Sequence, residues 1–254
     1  MMTLESPPGF VVRTEADKAA WDNGYRIEQG VNGGWLKYQS TTARGALWIA
    51  ANSPRGPWLL SIEHAGVVAE LSTLEPASIA GPGLATFILK TPTDLHGALD
   101  RVYKLAISLP DAPLARFRAK TATLPRTTEV ERMVVQRIGQ DIFREALMDY
   151  WGGQCPITGI TEPALLRASH ILPWSECTDE QRLDVHNGLL LSALWDAAFD
   201  KGLVGFADDG GVLASQSLSA AARTALGLDR ASPLPGLRDH HRANLALHRA
   251  RHGL

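Results

Sequence analysis

Three short stretches in the second half of the chain decide the fold: Ala168-Ser-His-Ile-Leu-Pro-Trp-Ser175, His186-Asn-Gly-Leu-Leu-Leu191 and Asp196-Ala-Ala-Phe-Asp-Lys-Gly202. The first lies in an apolar run, 164–172, and predicts a strand that ends at a histidine. The second predicts a turn followed by a short apolar strand. The third predicts a short helix over 194–200 that Gly202 ends. Strand, strand and helix would then bring three distant polar segments together.

Two carboxylates on the predicted helix indicate a cation site. Asp196 and Asp200 are four residues apart, so their Cβ atoms share one face at about 5–6 Å. Like charges this close disfavour each other unless a cation lies between them, and oxygen ligands favour a hard divalent ion. His170 adds an imidazole that can take a proton from water near neutral pH. A cation beside a base is the minimum set of groups for hydrolysing a phosphodiester.

Together with Cys155-Pro-Ile-Thr-Gly159 and the helical residues 139–144, these stretches resemble the HNH endonuclease family, in its restriction-type members. The resemblance covers roughly residues 130–215 and implies a ββα-metal finger. It implies that His170 is the general base and that Asn187 is the middle asparagine, whose amide orients the loop between the two strands.

The resemblance also implies a ligand set, with two departures from the family pattern. Asp196 stands where the last histidine of the motif usually lies, and Asp200 where colicin-type members have another ligand. The aspartate keeps the capacity to bind metal and shifts the preference toward Mg²⁺ or Mn²⁺ over Zn²⁺. Ser169 stands where metal-binding members often have Asp or His, and a hydroxyl is a poorer ligand. A decayed nuclease that only binds DNA therefore stays open.

The charge distribution favours a polyanionic partner, although the net charge is only −2. Residues 145–215 carry three basic and eleven acidic side chains. Basic segments flank this acidic block. Residues 116–144 have seven Lys or Arg, including Arg126, and three acidic residues, and six arginines follow residue 215. Basic flanks can hold a nucleic-acid backbone while the acidic block holds cations. The candidate DNA contacts are Arg144, Arg167, His186 and Lys201. His186 has an alternative interpretation as an exposed loop histidine.

The predicted fold class is α+β, with a small sheet-plus-helix domain before the ββα-metal nuclease domain. Residues 1–120 would form a reader of DNA or of modified bases, or a sensor. Residues 121–150 would form a connecting helix, and 151–254 the nuclease with its basic tail. Predicted strands in the first domain lie at Gly34–Tyr38, Ala46–Ala51, Trp58–Ile62, Val67–Leu71 and Leu84–Leu89, followed by a helix over Asp94–Ile107.

The connecting helix has a clear start and end in the sequence. Pro110 to Pro125 is predicted as a connector, with two prolines, Pro110 and Pro113, at its start. Thr128 is a good N-cap with Glu131 as its reciprocal partner, and Gly152-Gly153 would end the helix. Its expected buried residues are Val130, Val134, Ile138, Phe143 and Leu147.

The composition limits which cysteine sites and which cellular compartments are expected. Cys155 and Cys177 cannot form a disulfide scaffold or a four-cysteine zinc site, and no apolar run is long enough to cross a membrane. No secretory signal is visible at the start, so a cytoplasmic setting is expected.

The sequence thus predicts an Mg²⁺- or Mn²⁺-dependent endonuclease acting on double-stranded DNA. A homodimer is expected because cutting both strands needs two sites. A ligand-gated effector nuclease is a further alternative, and RNA as substrate stays open.

Overall fold

A computed structural model describes residues 3–125 and 127–254, so Arg126 lies outside the described residues. The chain divides into two compact units, Met1–Ala112 and Pro113–Leu254. The α+β class predicted from the sequence is confirmed. Within the described residues, no helix has both the length and the apolar character needed to pass through a membrane.

The first unit is built on a five-stranded antiparallel sheet with strands in sequential order. Gly33 and Gly34 both have positive φ and form the tight turn between the first two strands, as the Asn-Gly-Gly pattern predicts. Four of the five predicted strands are confirmed, whereas the first strand was not predicted. The strands are β1 (Ile27–Asn32), β2 (Trp35–Gln39), β3 (Leu47–Ala51), β4 (Trp58–Ile62) and β5 (Ala85–Leu89).

Three helices accompany this sheet: α1 (Phe10–Asp22), α2 (Ala65–Glu70) and α3 (Pro92–Ser108). The predicted helix at 94–107 is confirmed as α3, which Thr91 and Asp94 begin with a reciprocal capping box. The strand predicted at 67–71 is wrong. The segment forms α2 because His64 accepts a hydrogen bond from the Val67 amide and caps a helix there.

The second unit begins with two helices, α4 (Asp111–Thr121) and α5 (Glu129–Tyr150). Most of the connector predicted over 110–125 is helical, and Pro113 lies in the first turn of α4, where a missing amide hydrogen costs nothing. The capping box of Thr128 and Glu131 is confirmed, and Gly152 and Gly153 follow the helix with positive φ.

The buried face of α5 differs from the predicted one. Phe143 and Leu147 are buried as expected, but Val130 and Val134 are 71% and 49% exposed. Burial along α5 begins only at Val135. The reason is tertiary, because the strands that follow α5 in the chain pack against its C-terminal half and leave the first two turns in solvent.

The segment after α5 forms a strand, a second strand and a helix. β6 (Leu166–His170) pairs antiparallel with β7 (Gly188–Ser192), so that His170 lies opposite Gly188. α7 (Ala193–Asp200) follows β7 without a loop and packs against both strands. The long connection between the strands contains the single-turn helix α6 (Asp179–Arg182) and ends in a 3-10 turn at Val185–Asn187.

The remainder of the second unit closes around this core. β8 (Val204–Phe206) and β9 (Val212–Ala214) form the predicted hairpin, and α8 (Ala220–Leu226) follows it. The last helix, α9 (Asp239–His252), packs against β8 and against the 3-10 turn at 185–187. The chain end thus returns to the strand–strand–helix core.

Gly188 provides a test of how closely α5 and β7 approach. A Cβ atom placed on Gly188 would lie 2.4 Å from Cζ of Phe143 and 2.9 Å from a methyl of Leu147. We therefore expect Gly188→Ala to lower the free energy of unfolding by about 1–3 kcal/mol, through overpacking. Denaturant unfolding measures this change. The control is Gln140→Ala, an exposed change on α5, expected to stay within about 0.5 kcal/mol of the parent. Equal stability of the Gly188 variant would show that α5 can move away.

Candidate active site

A cavity of about 460 Å³ lies among residues of β6, α7 and α9. Six of the nine residues singled out from the sequence line it: Arg167, Ser169, His170, Asp196, Asp200 and Lys201. Asn187, Arg144 and His186 are not among its lining residues. The fold thus brings the histidine, the serine and both aspartates to one cavity, although up to 31 positions of the chain separate them.

The His170 ring is held on three sides. Its Nε2 lies 2.9 Å from the backbone oxygen of Arg182, which can only accept, so Nε2 carries the hydrogen. The ring stacks on Phe143 at 3.8 Å and meets Trp174 edge-on. Burial lowers the pKa of His170 to about 4, and the Arg182 carbonyl opposes this only in part. The ring is therefore neutral at pH 7, with its lone pair on Nδ1.

The two aspartates lie on the same face of α7, as their spacing requires. Burial raises the pKa of the Asp196 carboxyl; a hydrogen bond from Ser169 opposes the rise, and the Asp200 charge adds to it. Ser169 is 2% exposed, and its Oγ lies 3.5 Å from Oδ1 of Asp200. A buried hydroxyl thus contacts two carboxylates that repel each other, and basic residues, Arg167 and Lys201 among them, also line the cavity.

Asn187 is buried beneath the loop rather than at the cavity. Its Oδ1 accepts a hydrogen bond from the Leu172 amide at 2.9 Å, and its Nδ2 donates to the Gln181 carbonyl at 3.0 Å. The two bonds join the start and the middle of the connection between β6 and β7 to its last residue. The next carbonyl along the chain, that of Arg182, accepts the hydrogen bond from His170. By binding the Gln181 carbonyl, Asn187 thus holds the backbone segment that orients His170.

The basic candidates divide into two groups. Arg167 and Lys201 line the cavity and are exposed. Arg144 does not line it, because its guanidinium donates to the backbone oxygens of Leu166 and Pro163 at 2.8 and 2.7 Å. These bonds attach α5 to the start of β6.

His186 is not an exposed loop histidine, so that interpretation is wrong. Its side chain is buried, with 8% of the residue exposed. Its Nδ1 lies 2.9 Å from Oδ1 of Asp184, and its ring meets those of Tyr150 and His240 edge-on. The return of α9 onto the 3-10 turn at 185–187 buries it, which local sequence does not reveal.

Seven residues that line the cavity were not singled out as site residues from the sequence, and four of them have polar or aromatic side chains: Trp174, His248, Arg251 and His252. Trp174 lies within the quoted stretch 168–175, but its type gave no sign of a contact with His170. Arg251 was counted only in the basic tail. It forms an ion pair with Glu176. The ring of His252 packs where a Cβ on Gly202 would lie, so α9 needs glycine there to approach the end of α7.

His248 makes the stability of the second unit depend on pH. Its ring stacks on Phe199 at 4.0 Å, and its Nε2 donates to the Phe199 backbone oxygen at 3.1 Å. Burial lowers the pKa of His248 to about 4, against about 6.5 for an unfolded chain. Between these values the unfolded state binds a proton that the folded state does not, so the free energy of unfolding falls as the pH is lowered from 6.5 to 4.

We expect His248→Leu to reduce the dependence of the free energy of unfolding on pH, by an amount that corresponds to the binding of up to one proton. Urea unfolding at several pH values measures this dependence. Val135→Ala is the control, because it weakens packing elsewhere in the second unit without removing the titrating group or its stacking partner, so the slope of this dependence should be kept. An unchanged slope in His248→Leu would show that His248 does not contribute.

Comparison with known families agrees with this geometry. Residues 155–207 match the family model described as HNH endonuclease. The matched span contains β6, β7 and α7, and with them His170, Asn187 and both aspartates. The chain has no match among curated proteins. The resemblance found in the sequence is thereby confirmed over residues 155–207, and this match supports a nuclease-type domain within the second unit.

Proposed function

We propose that this chain is an Mg²⁺- or Mn²⁺-dependent endonuclease that hydrolyses phosphodiester bonds of double-stranded DNA. The observation that carries the proposal is the placement of His170, Asp196 and Asp200 around one cavity. A neutral imidazole beside a pair of carboxylates suits metal-assisted hydrolysis better than nucleophilic catalysis by a side chain.

His170 is the general base in this proposal. Because the Arg182 carbonyl fixes the hydrogen on Nε2, Nδ1 is the atom that accepts a proton from the attacking water. Phe143 and Trp174 set the plane of the ring. The low pKa keeps the base unprotonated, and the negative charge of a bound phosphate would raise the pKa toward the operating range.

Asn187 acts as a positioning residue. It contacts neither the cavity nor a reacting atom, but its hydrogen bonds to Leu172 and Gln181 hold the loop that supplies the Arg182 carbonyl. Losing those bonds would release His170 from its fixed tautomer and orientation.

Asp196 and Asp200 fit the cation that the family generally needs. Two mutually repelling carboxylates, one with a raised pKa, favour a bound divalent ion. Such an ion would polarise the phosphate and stabilise the departing 3′ oxygen. Ser169 is better placed to orient the carboxylates than to replace a stronger ligand, because it is buried and bonded toward them.

Phosphate contacts are assigned to the basic residues that line the cavity: Arg167, Lys201 and Arg251. Their charges would hold the DNA backbone on either side of the scissile bond. Arg144 and His186 are left out of this set, because neither is among the residues that line the cavity.

Plasmid cleavage with Mg²⁺ or Mn²⁺ tests the mechanism. We expect His170→Ala to lower the rate about 10²–10⁴-fold, as the loss of a general base does. Asp196→Asn and Asp200→Asn should raise the Mg²⁺ concentration needed for half-maximal cutting. The control is His96→Ala in the first unit, expected to cut normally. Full activity of His170→Ala would refute the assignment. A parent protein that binds duplex DNA but never cuts it would identify the decayed nuclease.

The biological role we propose is restriction of foreign or base-modified DNA by a cytoplasmic homodimer, with the first unit as reader. Trp35 and Trp58 are buried in the core of the first unit and are excluded as stacking residues. Trp21 is 58% exposed, and the guanidinium of Arg26 lies 5.5 Å from its ring centroid. An exposed indole beside a cation is suited to stack on an extruded base near the DNA backbone.

Binding of full-length His170→Ala protein to plain and 5-methylcytosine duplexes tests the reader. We expect tighter binding to the modified duplex, and a loss of about fivefold or more with Trp21→Ala, the lower range for one stacked base. Phe10→Ala, which removes another exposed aromatic of α1, is the control. Equal binding to both duplexes would contradict a reader of modified bases. If Trp21→Ala has no effect, the first unit is better explained as a small-molecule sensor.

A further inference from the structure

A second group of metal-binding side chains lies outside the catalytic cavity. Among the described residues, Asp184, His186 and His240 are the one group of three His, Cys, Asp or Glu residues whose ligand atoms all lie within 4.8 Å of one another. None of the three lines the cavity that contains His170. We propose that these three residues bind a transition-metal ion of the Zn²⁺ type, which fastens α9 to the strand–strand–helix core.

The donor set favours this class of ion. Two imidazoles and one carboxylate are the ligands of many three-residue zinc sites, in which water occupies the fourth position. Imidazole nitrogen suits Zn²⁺, Co²⁺ and Ni²⁺, whereas Mg²⁺ prefers oxygen ligands. The group therefore differs in metal preference from Asp196 and Asp200, which offer only carboxylates.

The geometry is close to that of a coordination shell. Oδ1 of Asp184 and Nδ1 of His186 lie 2.9 Å apart, and neighbouring ligands of a tetrahedral zinc ion are about 3.3 Å apart, given bonds near 2.0 Å. The rings of His186 and His240 are nearly perpendicular, with centroids 5.6 Å apart. Small rotations of the side chains would suffice to surround an ion.

Two of the ligands are already held in place. Asp184 accepts the backbone hydrogen of His186 at 2.8 Å, which ties the carboxylate to the turn that carries the histidine. His186 is buried, whereas His240 is exposed at the start of α9. An ion could thus enter from the solvent side, and ordering one exposed histidine is the main entropic cost of binding.

The position of the site gives binding a structural consequence. Asp184 and His186 belong to the turn that ends in Asn187, and His240 belongs to α9. Nδ2 of Asn244, in α9, donates a hydrogen bond to the His186 carbonyl at 3.1 Å and so already joins the two elements. Further along, α9 carries His248, Arg251 and His252 into the catalytic cavity. A metal at its first turn would hold this wall of the cavity in place.

The test uses the full chain carrying Asp196→Asn and Asp200→Asn, so that the proposed catalytic ligands are absent. Titration with Co²⁺ should give one equivalent bound with visible d–d absorption typical of four or five ligands, and Zn²⁺ should displace it. Adding His240→Ala should weaken Co²⁺ binding at least tenfold and abolish the rise in melting temperature caused by Zn²⁺. Asp239→Asn, in the same turn but outside the group, should change neither.

The outcomes separate this site from the proposed nuclease centre. Retained Co²⁺ affinity in His240→Ala would overturn the inference, as would loss of Co²⁺ binding in the Asp196/Asp200 double variant before His240 is changed. The latter result would place the ion in the catalytic cavity. Since His240 is exposed, its alanine variant is expected to fold, and circular dichroism checks this. The inference does not rest on the proposed function, because no step of the test measures cleavage.

Discussion

The buried amide of Asn187 is the interaction on which the candidate site depends. It is 2% exposed, and its oxygen and nitrogen bind the Leu172 amide and the Gln181 carbonyl, at the start and in the middle of the long connection between β6 and β7. That connection is mostly short turns, and the side-chain bonds of Asn187 add to its local backbone bonds, such as the one from the Ile171 amide to the Asn187 carbonyl at 3.0 Å. A satisfied buried amide is costly to break, because each partner would lose its hydrogen bond away from water. The position of the Arg182 carbonyl, and with it the tautomer of His170, follows from this anchor.

The sequence predicted the parts of the site that local patterns determine. The i, i+4 spacing of Asp196 and Asp200 places them on one face of any helix, and the apolar runs around His170 and after Asn187 are typical of paired strands. Patterns of this kind fail where the partner is distant in the chain. His186 fits a loop residue in the sequence, but α9 packs over it and buries it. Val130 fits the apolar face of a helix, but no other described element packs over it, so it stays exposed. The contribution of His248, Arg251 and His252 is likewise set by the return of the chain end.

The electrostatics of the cavity oppose folding while they favour binding. Asp196 is half-buried beside another carboxylate, and its raised pKa shows that the folded state disfavours the charged form of this side chain. His170 and His248 are buried neutral imidazoles, and protonating either of them in acid would likewise destabilise the folded state. The loss of stability at such sites is typical where binding or catalysis requires charge in a restricted space.

In the proposed scheme, the two donor sets of this module would hold different ions at the same time. The all-oxygen pair on α7 has little advantage for Zn²⁺, whereas the two-histidine group gains most of its affinity from nitrogen. Mg²⁺ is abundant and weakly bound, so a site for it can exchange during catalysis, while a nitrogen-rich site retains its ion. The helix that carries His240 also forms part of the cavity wall. An ion held at its first turn would therefore act on catalysis through rigidity rather than through chemistry, because it lies outside the cavity where the phosphate would bind.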